Sequence, residues 1–111
     1  MLDENDFRKR ADAALESLKK ALMHAEESSD IEVEDQSGAL HIAFEDRSKF
    51  VISPNAPVRQ IWISALATSF KLDWSDAKEE FVLSKTGEGL KILVARLINQ
   101  QLGEEDAVTL A

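Results

Sequence analysis

The apolar residues of this chain change their spacing twice, and that change limits what it can fold into. From residue 4 to 27, Phe7, Ala11, Ala14, Leu15, Leu18, Leu22 and Ala25 recur at helical intervals, the pattern of one amphipathic helix with a single buried stripe. Good helix formers (Ala, Leu, Glu, Lys) fill the other faces. Acids between Asp3 and Asp6 stand where the positive end of the helix favours them, and Ser28-Ser29 ends the element. The period then falls to two. Ile31 and Val33 alternate with Asp30, Glu32 and Glu34, and Leu40, Ile42 and Phe44 alternate with Ala39, His41 and Ala43, with Gln36-Ser37-Gly38 as the turn between them. Glu45–Ser48 turns into a third strand over 49–53. Pro54 and Pro57 bracket a loop, because proline cannot donate to a ladder. A fourth strand covers 59–64, with Ile61 and Ile63 inward and Gln60, Trp62 and Ser64 outward. Weaker strand patterns follow at 70–74 and 81–84. Helical spacing returns near 87–102 through Leu90, Leu93, Val94, Leu97 and Ile98, with Thr86 as the expected N-cap and Gly103 at the left-handed C-terminal cap.

Two terminal helices can cover one face of an antiparallel meander and leave the other in water. The expected fold is therefore α+β: a two-layer α/β sandwich, with both helices packed on one face of the sheet. The whole chain, 1–111, reads as one domain, with 104–111 as a short C-terminal tail. On this architecture Trp62 stands on the open face.

Composition excludes several classes of function. Thirteen Lys and Arg against 21 Asp and Glu leave a net charge of −8, which repels nucleic acid and anionic membranes and attracts cations and basic proteins. Without cysteine no disulfide forms and no iron–sulfur cluster is held by thiolates. No apolar stretch spans a bilayer, and no basic segment leads into an apolar one at the start, so the cytoplasm is the expected location. Nucleophilic catalysis lacks its residues: there is no Cys, no Tyr and no Gly-x-Ser-x-Gly. His24 and His41 fall on outward positions, and the four glycines form no phosphate-binding pattern. The expectation is a binding protein, not an enzyme.

Two features carry a binding reading. Glu26, Glu27, Asp30, Glu32 and Glu34 crowd the junction of the first helix and first strand. Like charges this close repel one another, and hard cations such as ferrous or ferric iron, Ca²⁺ or Mn²⁺ take such carboxylates. No EF-hand spacing is present. A solvated edge that blocks strand pairing explains the same acids, and so does a basic partner protein. The second feature is Trp62 with Gln60 and Ser64 on one strand face and Ser53 and Asn55 just before it. An outward Trp among adaptable amides and hydroxyls is a protein-contact composition, although a neighbouring strand could cover the ring. Trp74, in phase with Phe70 and Leu72, reads as core or sheet edge.

The chain resembles the bacterial frataxins (CyaY) over nearly its whole length. NDFRKRADAALESL is similar to the start of that family's first helix, and DIEVEDQSGALHIAFEDRSKFVIS to its first three strands. APVRQIWIS carries the family's most specific signature, Gln-Ile-Trp after a proline. LDW and SKTGEGLKILVARLINQQLGE are similar to the fifth strand and to the last strand with its helix. The resemblance implies a modulator of iron–sulfur cluster assembly that docks on the cysteine desulfurase and its scaffold protein. It also implies weak carboxylate binding of ferrous or ferric iron, with no tightly held cofactor. Carried over by position, Asp12, Glu26, Glu27, Asp30, Glu32 and Glu34 match the acidic ridge, and Gln60 and Trp62, with Ser53 and Asn55, match the partner-binding face. Lys19, Lys20, Met23 and His24 stand where acids are usual, which thins the ridge. Ser53 replaces an Asn, Asn55 a Gln and Phe81 a Trp, and Ser69-Phe70 replaces a Gly-rich turn. A monomer is expected. Two other readings remain open: an iron chaperone or ferroxidase, and an acidic adaptor with a different partner.

Overall fold

The computed structural model describes residues 2–103, Val108 and Leu110. Helix α1 (Glu4–Glu26) leads into strands β1 (Ile31–Gln36), β2 (Ala39–Phe44) and β3 (Lys49–Asn55). A single 3₁₀ turn (Ala56–Val58) precedes β4 (Gln60–Ala65), β5 (Thr68–Ser75) and β6 (Glu80–Leu83), and helix α2 (Leu90–Leu102) follows. The strands form one antiparallel sheet in chain order, β1-β2-β3-β4-β5-β6, and both helices pack on it. The α+β architecture read from the spacing is the one observed.

The α1 stripe is buried as the period requires: Phe7, Leu18 and Leu22 are fully covered, and Ala11, Leu15 and Ala25 nearly so. Asp3 starts the helix by accepting the Asp6 N–H at 2.8 Å, satisfying one of the donors a helix leaves free at its beginning. The sheet contributes matched apolar rows. Val33, Ile42 and Phe50 lie opposite one another, and so do Leu40, Ile52, Ile63 and Phe70. Phe7 and Phe81 meet edge to face at 5.8 Å, tying α1 to β6. Each fully buried Leu, Ile or Phe favours the fold by about 1.5–3 kcal/mol relative to exposure.

Three expectations are corrected. Strand β3 runs through Pro54, which lies opposite Ile61. The β2 partners of β3 end at Ile52, so the proline stands where only β4 adjoins the strand. Arg59 belongs not to β4 but to the cap of the 3₁₀ turn, in a left-handed conformation. Helix α2 begins after Gly89, not after Thr86. Gly87, at φ +75°, instead closes a turn by donating to the Leu83 carbonyl at 2.7 Å, and the Thr86 hydroxyl bonds Glu88. Beyond Gly103 the described residues are Val108 and Leu110. Residues 104–107, 109 and 111 lie outside the described residues, but Val108 and Leu110 are buried in the core. Asn99 holds Val108 by accepting its N–H at 2.8 Å and donating to its carbonyl at 3.2 Å.

Candidate functional site

The strict alternation of β1 separates its acids. Ile31 and Val33 face the helices, so Glu32 and Glu34 project on the open side and both are exposed. Asp35 falls on the helix side and pairs with Lys19 of α1 at 3.3 Å. Of the six candidate acids, Asp12 and Glu26 lie on α1, Glu27 and Asp30 between α1 and β1, and Glu32 and Glu34 on β1. Asp12 lines a groove of about 200 Å³ with Glu16, Lys19 and Asp35, between α1 and the β1–β2 turn. Asp30 and Glu32 line another, of about 310 Å³, together with Glu45. The Ile31–Phe44 pairing sets Asp30 beside Glu45, an acid that the sequence placed only in a turn. Glu27 is exposed and lies 3.6 Å from His24. Glu34 accepts a bond from Gln36 at 2.8 Å.

Glu26 has a different task. Its Oε2 accepts the Val33 N–H at 2.7 Å. Among the described residues β1 pairs only with β2, and this carboxylate occupies a donor on the edge away from β2, as natural sheets do to prevent unwanted pairing. The side chains of Asp30 and Glu32 have no hydrogen-bond or ion-pair partner among the described residues. Nor, among those residues, do any three His, Asp or Glu side chains converge so that they could hold a metal ion.

The open face beside these acids is built by register. Ser53 lies opposite Trp62 and Trp62 opposite Lys71; Asn55 lies opposite Gln60 and Gln60 opposite Asp73. Trp62 is half-buried on this face, not bare. Its indole N–H donates to Gln60 Oε1 at 2.8 Å, and Gln60 Nε2 donates to Asp73 Oδ1 at 3.0 Å. The Lys71 ammonium lies over the Trp62 ring, 4.9 Å from its centroid. Lys71 and Asp73 were missed in the sequence, where only their alternation with Leu72 marked them as outward. Trp74 is half-buried on the other face, edge to face with Phe81 at 5.2 Å, under the Arg10 guanidinium. His41 sits half-buried between Glu34 and Val51.

Residues 1–104 match the family profile described as a frataxin-like domain. This chain belongs to the frataxin family. Its relatives include the iron-sulfur cluster assembly protein CyaY of Azotobacter vinelandii, 33% identical over 76 residues, 68% of this chain and 69% of that protein. The CyaY of Ralstonia nicotianae is 30% identical over 102 residues, 90% of this chain and 88% of the relative. Among solved structures, the frataxin of Psychromonas ingrahamii superposes with a TM-score of 0.81 over 97% of both chains at 18% identity. The frataxin of Saccharomyces cerevisiae, solved as a trimer, gives 0.69 over 86% of this chain and 80% of the yeast one, at 23% identity. In this frataxin-like chain, no helix of the described residues is long and apolar enough to cross a membrane.

Proposed function

We propose that this frataxin acts in iron–sulfur cluster assembly by docking on the cysteine desulfurase and its scaffold protein and modulating their output. The observation that carries the reading is the presence of two unlike surfaces on one sheet. Asp30, Glu32 and Glu34 are exposed at the β1 edge, and the same sheet displays Trp62, Gln60, Ser53 and Asn55 on its open face. An acidic edge accelerates and orients encounter with a basic surface, and an aromatic set among amides supplies a short-range anchor. The names of the curated relatives place them in the same process.

Iron, in this reading, is bound weakly. Asp12, Glu26, Glu27, Asp30, Glu32 and Glu34 offer scattered carboxylates, one of them occupied by a backbone N–H. Hard cations reach high affinity only when several oxygens converge. Binding should be low in affinity and sensitive to salt.

The test is an amide NMR titration of the labelled protein with the desulfurase from the same source. Shifts or broadening concentrated at 26–34 and 60–64 are expected, weakening when Glu32 and Glu34 are neutralised. An unchanged spectrum at low salt would overturn the docking role.

A further inference from the structure

The hydrogen-bond chain on the open face has a direction. A carboxylate only accepts, so Asp73 obliges Gln60 to turn its amide nitrogen toward β5. The amide oxygen is then left for the indole N–H of Trp62. The one donor that a tryptophan could offer a partner is thus consumed within the protein. What Trp62 presents outward is the π face, which carries negative potential and attracts cations. That face already has one: the Lys71 ammonium, 4.9 Å from the centroid, on an exposed side chain.

From this geometry we infer that Trp62 is a cation seat, that the group it takes from a partner is an arginine guanidinium, and that Lys71 is an internal placeholder this arginine displaces. The inference rests on the docking role proposed above and names the chemistry at its centre. A guanidinium suits the seat better than an ammonium does, because it is planar, stacks on the ring and is more weakly hydrated. Charge favours the exchange: the chain carries −8 overall, and Asp73 lies one residue beyond the neighbour of Lys71, on the same face. Displaced from the ring, the flexible lysine returns to water at little cost, since exposed cation–π contacts are weak. The contact face would then select partners by a basic residue that enters over β4 and β5, and not by a hydrogen bond to the indole.

The seat can be tested without the partner protein. Acetyl-arginine amide is titrated into labelled protein while the Trp62 ring and indole signals are followed, with acetyl-citrulline amide as the uncharged isostere. Lys71→Ala should tighten binding of the arginine probe by about two- to five-fold, the size of one exposed cation–π contact. Lys49→Ala, which removes the same charge from the same face (Lys49 lies opposite Ala43), should change it less. In a Trp62→Leu background, followed through the backbone amides of β4 and β5, Lys71→Ala should bring no gain, and the citrulline probe should leave the ring signals of the unmutated protein unmoved. Equal effects of the two lysine substitutions, or equal shifts from both probes, would overturn the seat. Asp73→Ala should speed solvent exchange of the Trp62 indole proton, and an unchanged rate would break the directional chain. Because these readouts need no desulfurase, a silent seat and a silent desulfurase titration are separate failures.

Discussion

The β4–β5 hairpin turns through Leu66 and Ala67, at φ +52° and +59°, between the paired residues Ala65 and Thr68. Two-residue turns with positive φ at both positions match the twist of a hairpin, but they are normally made by Asn and Gly. A residue with a Cβ is disfavoured in this conformation by about 1–2 kcal/mol. Replacing Ala67 by Gly removes that cost and returns roughly 0.5–1 kcal/mol of it through the greater freedom of glycine in the unfolded chain. Ala67 is exposed, so almost no packing is lost. Ala67→Gly should therefore stabilise the protein by about 0.5–1 kcal/mol and raise the melting midpoint by about 2–5 °C. Urea unfolding is the direct assay, with the midpoint rising at unchanged slope. Ser64→Gly, at an exposed position in the regular part of β4, is the control and should destabilise by about 0.5–1 kcal/mol. If Ala67→Gly is neutral or destabilising while the control behaves, the turn is not strained as argued.

Three further outcomes follow from contacts away from the open face. Asn99→Ala should cost about 1–3 kcal/mol by thermal or urea unfolding, because it orphans a buried N–H and carbonyl of Val108 and loosens the core contacts of Leu110. Glu88 accepts two bonds from Arg96, at 2.7 and 2.9 Å, which hold its carboxyl below the ordinary 4.5 with help from the Thr86 hydroxyl. A depressed carboxyl stabilises the fold above its unfolded value and loses that contribution as pH falls through the lower folded one. Glu88→Gln should accordingly be less stable at neutral pH and show a shallower loss on acidification, read from urea midpoints between pH 3 and 7. Glu26→Ala should cost about 1 kcal/mol through the freed Val33 N–H, whereas Glu32→Ala should stay within about 0.5 kcal/mol of wild type, as calorimetry would show.

The helices and strands were legible because burial imposes a period. Phe7 through Ala25 repeat at helical intervals, and Ile61 and Ile63 alternate with Gln60 and Trp62. Features that depend on approach between distant segments were not legible. Glu26 reads as one more acid until α1 is seen to lie along β1, and Val108 and Leu110 read as tail because two apolar residues carry no period. Thr86 is as good a cap by type as Gly89 by position, and only the turn closed on Leu83 decides between them. Leu66-Ala67 contains no turn residue at all. The acids and Trp62 stood out by residue type, but Lys71, Asp73 and Glu45 emerge only from register, which one sequence does not state.

That register leaves the open face tolerant of one kind of change and intolerant of another. Gln60 meets Asp73, and Trp62 meets Lys71, because the chain reverses in two residues at Leu66-Ala67. Substituting either turn residue alters stability but keeps every pair. A slip of one residue between β4 and β5 would bring Leu72 out to solvent and press Lys71 and Asp73 against the helices. Inserting or deleting residues here would thus scramble the recognition surface without touching one of its side chains, so the length of a loop remote from Trp62 is part of the description of that site.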